Sequence, residues 1–180
     1  MHIEKLNSEI LVSDEQIFCK TKMKPLDRLD QNILRELTLD ARQSNVQLAE
    51  KVGLSPSPCW QRVRRMETQG LIKGYTAVLN QALLGRAETV LIEISLDRHQ
   101  GYQLENVCTQ IAAFPEVMEV HITSGNFDCF IKVACNGTKG YEAFLKNKLY
   151  TVSGIRSSRS SFSLRCFKQT QNVPIDNHDD

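Results

Sequence analysis

The stretch from Ser44 to Leu71 is punctuated so tightly that few folds fit it. Ser44, with Gln47 three residues on, reads as a capping box in which each side chain satisfies an orphan backbone donor at a helix start. Val46, Ala49 and Val52 then point one way. Gly53 stops this short helix, because glycine takes a left-handed conformation at a helix C-terminus without strain. Ser55-Pro56-Ser57-Pro58 opens a further helix, since first-turn N–H groups have no intrahelical partner and proline lacks one anyway. Either serine is a possible N-cap. The residue before a proline avoids helical angles, so Ser57 is expected as the cap with Pro58 at the first helical position. Cys59, Val63 and Met66 mark the inner face, and Gly70-Leu71 closes the helix. Upstream, Leu26, Leu29, Ile33, Leu34 and Leu37 recur at helical spacing and predict a supporting helix.

A supporting helix, a short helix, a glycine turn and a second capped helix are the sequence form of a helix-turn-helix. The last helix would read double-stranded DNA. Its outward residues are expected to be Gln61, Arg62, Arg64 and Arg65, led by the Ser-Pro-Ser-Pro segment. Arginine forks phosphate or guanine, glutamine suits adenine, and a helix N-terminus welcomes a phosphate. The same residues also describe an ordinary solvated helix with Glu67 offsetting part of the charge. Trp60, flanked by core positions, is expected to pack inward. The net charge is only +1, so DNA binding rests on where charge sits rather than on its sum.

Beyond Leu71 the periods change. Ile72–Leu79 alternates enough for a short strand or connector. Strands are expected near 89–96, 117–123, 127–134 and 155–168, with helices near 102–113 and 141–150. The order βαββαβ predicts a ferredoxin-like domain, two helices on one face of a four-stranded antiparallel sheet. The fold class is therefore α+β: a three-helix N-terminal domain followed by this sheet domain. The other sheet face needs a cover, which a two-fold homodimer supplies. The expected division is an arm over 1–25, the helix-turn-helix with its connector strand over 26–87, the sheet domain over 88–170 and a tail over 171–180.

Other chemistry is sparse. Cys19, Cys59, Cys108, Cys129, Cys135 and Cys166 form no C-x-x-C pair and lie at no zinc-finger distance from histidine, so buried reduced thiols are expected and no metal or cofactor. His99 and His121 read as a surface and a strand residue. No nucleophile–base pair or phosphate loop points to an enzyme. No apolar run approaches the roughly 18–20 residues that cross a bilayer, and the acidic N-terminus does not resemble a secretory signal, so a cytoplasmic protein without a membrane partner is expected. Lys20, Lys22 and Lys24 form a basic run that reads as a solvated arm or as one touching phosphates. The turn Gly125-Asn126-Phe127-Asp128 lets backbone approach a ligand, with Asp128 suited to an ammonium group. It is equally a hairpin turn with Asp128 capping its own backbone.

Leu26-Asp27-Arg28-Leu29-Asp30-Gln31-Asn32-Ile33-Leu34, Val52-Gly53-Leu54-Ser55-Pro56-Ser57-Pro58-Cys59, Arg62-Val63-Arg64-Arg65 and Gly74-Tyr75-Thr76-Ala77 resemble the Lrp/AsnC family of feast/famine regulators. The resemblance runs from about Leu26 to Asn172. It implies a helix-turn-helix from Asn45 to Arg64, which adds Asn45 to the DNA-binding residues Ser55, Ser57, Pro58, Gln61, Arg62, Arg64 and Arg65. It also implies dimers that often assemble into octamers, and small effectors, usually amino acids, bound between dimers near Ser124, Gly125, Asn126, Phe127 and Asp128, with Ser160 and Ser161 lining the same cleft. Asn126 stands where members often carry an acid, and the first 24 residues exceed the usual arm. A sequence-specific regulator is expected, and an architectural DNA-compacting protein is the alternative.

Overall fold

The computed structural model describes residues 25–97, 104–170 and 172–175. The described chain divides into two compact units, 25–76 with 172–175, and 77–170. Residues 172–175 group with the helical unit. Lys20, Lys22, Lys24, Cys19, His99 and all of the expected arm but Pro25 lie outside the described residues.

Among the described residues, three helices build the first unit: α1 (Arg28–Leu39), α2 (Asn45–Lys51) and α3 (Pro56–Thr68). The Ser44–Gln47 capping box forms as the sequence predicts, with N–H to side-chain distances of 2.8 and 3.3 Å. A second box opens α1: Asp27 accepts from the Asp30 N–H at 2.9 Å, and Asp30 accepts from the Asp27 N–H at 3.3 Å. The α3 cap differs from expectation. Ser55, not Ser57, is the N-cap and Pro56 the first helical residue. Ser55 takes the extended backbone that a residue before proline prefers, and Pro58 still falls in the first turn, where a missing N–H costs no helical bond.

Gly53 ends α2 at φ +70°. Its N–H meets the Glu50 carbonyl at 3.2 Å, and the Leu54 N–H meets that of Ala49 at 2.8 Å, the paired bonds of a Schellman close. Gly70 repeats the device after α3, folding Leu71 back onto the core. That core is Ile33, Leu48, Ala49, Val52, Cys59 and Met66. Val46, expected inward, is exposed; Leu48 takes the buried position instead.

In the second unit, β1 (Glu88–Leu96), α4 (Leu104–Ala112), β2 (Val117–Ile122), β3 (Cys129–Cys135), α5 (Gly137–Asn147) and β4 (Ile155–Phe162) follow in the expected order. The antiparallel sheet runs β2-β3-β1-β4. Alternation along β1 sends Val90, Ile92, Ile94 and Leu96 into a core with Ile131 and Val133 of β3, Val107 and Ile111 of α4 and Phe144 of α5. Strand β4 stops at Phe162 rather than running to 168, because its neighbour β1 begins at Glu88 and pairs Val90 with Phe162. Ile72–Leu79 forms no strand; with no neighbour to pair with, short alternation gains no ladder bonds. The open sheet face is not the apolar surface expected. Leu91 and Phe130 share it with Glu93, Glu119, His121, Lys132 and Arg159, and Lys132 pairs with Glu119 at 2.8 Å.

Candidate nucleic-acid interface and effector cleft

The α3 surface is narrower than its sequence suggests. Ser57, Pro58, Gln61 and Arg64 are exposed, whereas Arg62 and Arg65 are not outward residues. Arg62 Nη1 donates to Asp27 Oδ2 at 2.7 Å and to Asp30 Oδ1 at 2.8 Å, and Arg65 Nη2 donates to Asp30 Oδ2 at 2.5 Å. The Asp30 side chain is 0% exposed, and the two arginine side chains are 25% and 26% exposed. These pairs turn both guanidinium groups back onto α1. Helical spacing cannot foresee this, because the partners lie 32 to 35 residues away in sequence. Partial burial pushes the Asp27 carboxyl up, but hydrogen bonds from Arg62 and from the Asp30 and Leu29 N–H groups outweigh it and hold the group below the usual carboxylate range.

Trp60 corrects a second expectation. It is 54% exposed rather than packed inward, and the Arg64 guanidinium lies over its ring at 5.9 Å. Arg64 also meets Glu67 at 3.1 Å, an exposed pair one turn along α3. Such a pair is worth little and exchanges readily for another anion. Asn45 serves the junction of the two helices, its amide donating to the Pro56 carbonyl at 2.7 Å. Ser55 is exposed at the α3 N-terminus and makes no side-chain cap.

The 124–128 loop joins β2 to β3 and is tied to β1. Asp128 Oδ2 accepts from the Leu96 N–H at 2.8 Å, and the Asp128 N–H reaches the Ile94 carbonyl at 2.9 Å. Asp128 therefore caps the neighbouring strand β1. Thr123 Oγ1 donates to the Phe127 carbonyl at 2.7 Å. With both ends pinned, Ser124, Gly125 and Asn126 stand exposed. Asn126 and Phe127 line an open cleft of about 320 Å³ together with Glu93, Ser95, Ser157, Ser158 and Arg159. Arg159 and Glu93 approach to 3.7 Å, placing opposite charges side by side.

Ser160 and Ser161 do not line this cleft. Ser160 pairs with Ile92 and so faces the helices, where its hydroxyl meets that of Tyr141; Ser161 pairs with Leu91 on the open face. Glu93, Ser95, Ser157 and Arg159 escaped the sequence reading, although their every-second-residue spacing was a signal that each pair shares a sheet face. The thiols of Cys59, Cys108, Cys129 and Cys135 are buried and free, while Cys166 is exposed. Among the described residues no cluster of three or more His, Cys, Asp or Glu is placed to hold a metal, and no helix is long and apolar enough to cross a membrane.

A helix-turn-helix followed by an α+β unit with a charged cleft defines the class of two-domain DNA-binding regulators. Residues 26–73 match the winged helix-turn-helix DNA-binding family, and residues 89–173 match the Lrp/AsnC ligand binding domain. The chain is 40% identical over 152 residues to the leucine-responsive regulatory protein of Escherichia coli K12, an alignment covering 84% of this chain and 93% of that one. A transcriptional regulator of Neisseria meningitidis, solved as a complex with L-methionine, superposes with a TM-score of 0.80 at 28% identity, covering 86% of this chain and 99% of that one. An AsnC family transcriptional regulator of Agrobacterium tumefaciens gives 0.79 at 34% identity, covering 83% and 97%. The chain belongs to the Lrp/AsnC family of DNA-binding transcriptional regulators, which are not enzymes.

Proposed function

We propose that this regulator reads DNA with α3 and is biased by a small amino acid held at the cleft between the 124–128 loop and β4. The observation that carries the effector reading is the Arg159–Glu93 pair within a cleft of about 320 Å³. A zwitterion brings its own carboxylate to an arginine and its own ammonium to a glutamate, so it replaces a weak exposed ion pair with two charge-assisted contacts. The hydroxyls of Ser95 and Ser157 add polar partners, and the cleft volume is at the small end of ligand sites, which suits an amino acid. The Neisseria relative, crystallised with L-methionine, supports the same ligand class. On the DNA side, Gln61, Arg64 and Trp60 form the reading face, with Ser57 and Pro58 at its leading end, while Ser55 and Asn45 shape the turn that presents it.

The regulator works as a homodimer in the cytoplasm, with octamers as the higher assembly. Exposed Leu83, Leu164 and Phe167 in the sheet unit support self-association, because apolar groups in such numbers favour a cover. The effector must favour one assembly or conformation, with coupling of about 1–3 kcal/mol. Gel-shift titration on a duplex selected from random sequence, with and without a panel of amino acids, tests the whole reading. Bands that resist random competitor and move with one amino acid are expected, and Arg159→Ala is expected to abolish the response while leaving DNA binding intact. A response unchanged in Arg159→Ala would displace the effector from this cleft. Equal affinity for every duplex would make the protein an architectural binder instead.

A further inference from the structure

Three arginines crowd the middle of α3, and the structure treats them differently. Arg64 stands outward over Trp60. Arg62 and Arg65 point the other way and share one buried carboxylate. Asp30 spends both oxygens on them while its backbone N–H donates to Asp27, and Asp27 adds a second oxygen to Arg62. Two carboxylates at the α1 N-terminus thus grip two successive turns of α3. The four charges sum to zero, so the grip hides positive charge from any nearby phosphate.

Apolar packing alone sets helix–helix geometry loosely, as a tendency with about 15–20° of scatter. A carboxylate forked between two guanidinium groups is stricter, since each bond demands both a distance and a direction. A rotation of α3 that turned Gln61 and Arg64 away from the groove would have to break bonds to a carboxylate with no access to water.

We infer that Asp27 and Asp30 of α1, through Arg62 and Arg65, are positioning residues that fix the rotation of α3 and thereby set DNA specificity, and that neither arginine is a phosphate contact. The inference rests on α3 being the reading helix. It predicts that loosening the grip lowers discrimination between sequences, whereas removing a phosphate contact weakens binding to all sequences alike.

Asp30→Asn keeps the shape of the side chain and removes its charge. The test measures its affinity, and that of Asp27→Asn, Arg62→Ala, Arg65→Ala, Gln61→Ala and Arg64→Ala, for a duplex selected by the wild type and for random duplex, across a salt series. Each variant is first matched to wild type by circular dichroism at the assay temperature, and Asp27→Asn serves as the milder lesion should Asp30→Asn fold poorly. Asp30→Asn is expected to lower the ratio of selected to random affinity about tenfold, the size of one lost base contact, with an unchanged salt slope. Asp27→Asn should lower it less. Arg62→Ala and Arg65→Ala should likewise leave the slope alone, whereas Arg64→Ala should reduce it by about 0.9 if it meets one phosphate.

A slope reduced by that amount in Arg62→Ala or Arg65→Ala would make the residue a phosphate contact and overturn the inference. So would tighter binding by Asp30→Asn, which would mean that freed arginines reach the DNA. A lower melting temperature with an unchanged affinity ratio would reduce the grip to a structural role and overturn it as well. If Gln61→Ala and Arg64→Ala change neither ratio nor slope, it is the reading role of α3 that fails, a result distinct from any of these.

Discussion

The two units of this regulator hold their working parts by different physics. In the helical unit a core of Ile33, Leu48, Ala49, Val52, Cys59 and Met66 is joined by a buried charge network across α1 and α3. In the sheet unit the buried set is larger and apolar, and no charged side chain among the described residues is buried. There the 124–128 loop is pinned by backbone and capping bonds to β1. The buried apolar set of the helical unit is small, so it resists helix rotation little, and directional bonds supply what volume cannot. A four-stranded ladder is already directional, and its core can be plain.

The largest expected effect sharpens that contrast. Asp30→Ala leaves the Arg65 guanidinium without its carboxylate and Arg62 with Asp27 alone. It should destabilise the helical unit by about 3 kcal/mol, toward the low end for broken buried pairs because both arginines are partly solvated. Ile92→Val in the sheet core should cost only about 1 kcal/mol. Chemical denaturation measures both, and equal losses would erase the distinction between the units. Gly53→Ala comes next. Its Cβ would meet no atom within 4 Å, so only the left-handed backbone opposes it, at about 1 kcal/mol. A cost well above this would show that the turn is also packed.

Acid probes the charges of both units together. Burial pushes the Glu116 carboxyl up, but Lys148, at 2.7 Å from each of its oxygens, outweighs that and holds it below the usual range, as Arg62 does for Asp27. A carboxyl depressed in the fold contributes stability that is complete above its unfolded value, about 4, and is lost as pH falls through the lower folded value. Carboxyl-carbon NMR titration should place Asp27 below the ordinary 3.8 and Glu116 below the ordinary 4.5. An ordinary midpoint at Asp27 would mean that Arg62 is not held there in solution. The smallest effect lies at the alkaline end. Burial and the Glu67 carboxylate push Tyr75 up to about 12, so its contribution is complete below the ordinary value of about 10 and is lost as pH rises from there through the raised one. Burial raises Tyr141 as well, so ultraviolet titration should lose only the latest of its late steps in Tyr75→Phe, and an unchanged curve would remove the Tyr75–Glu67 bond.

Much of this architecture was legible in the residues. Capping serines, helix-ending glycines and strand alternation are local signals, and they placed α1 to α3 and the order of the sheet unit. What stayed hidden was decided by partners distant in sequence. Arg62 and Arg65 look like free surface charges until α1 is laid against α3, and Trp60 looks like core until smaller residues fill that core. The cleft was half legible. The loop residues Asn126 and Phe127 stood out, but Glu93 and Arg159 meet only through the β1–β4 register. Asp27 and Asp30 did carry a local sign, since an acid at a helix start with another three residues on is a capping pattern.

The separation of duties along α3 bears on how such a regulator acquires new targets. Gln61, Arg64 and Trp60 face outward and contribute little to holding the helix in place, while Arg62 and Arg65 anchor it and leave the surface to them. A gene duplicate can therefore exchange the outward residues one at a time and try new operators without passing through an unfolded ancestor. The anchor leaves the outer face free to change while the α1–α3 geometry beneath it stays the same.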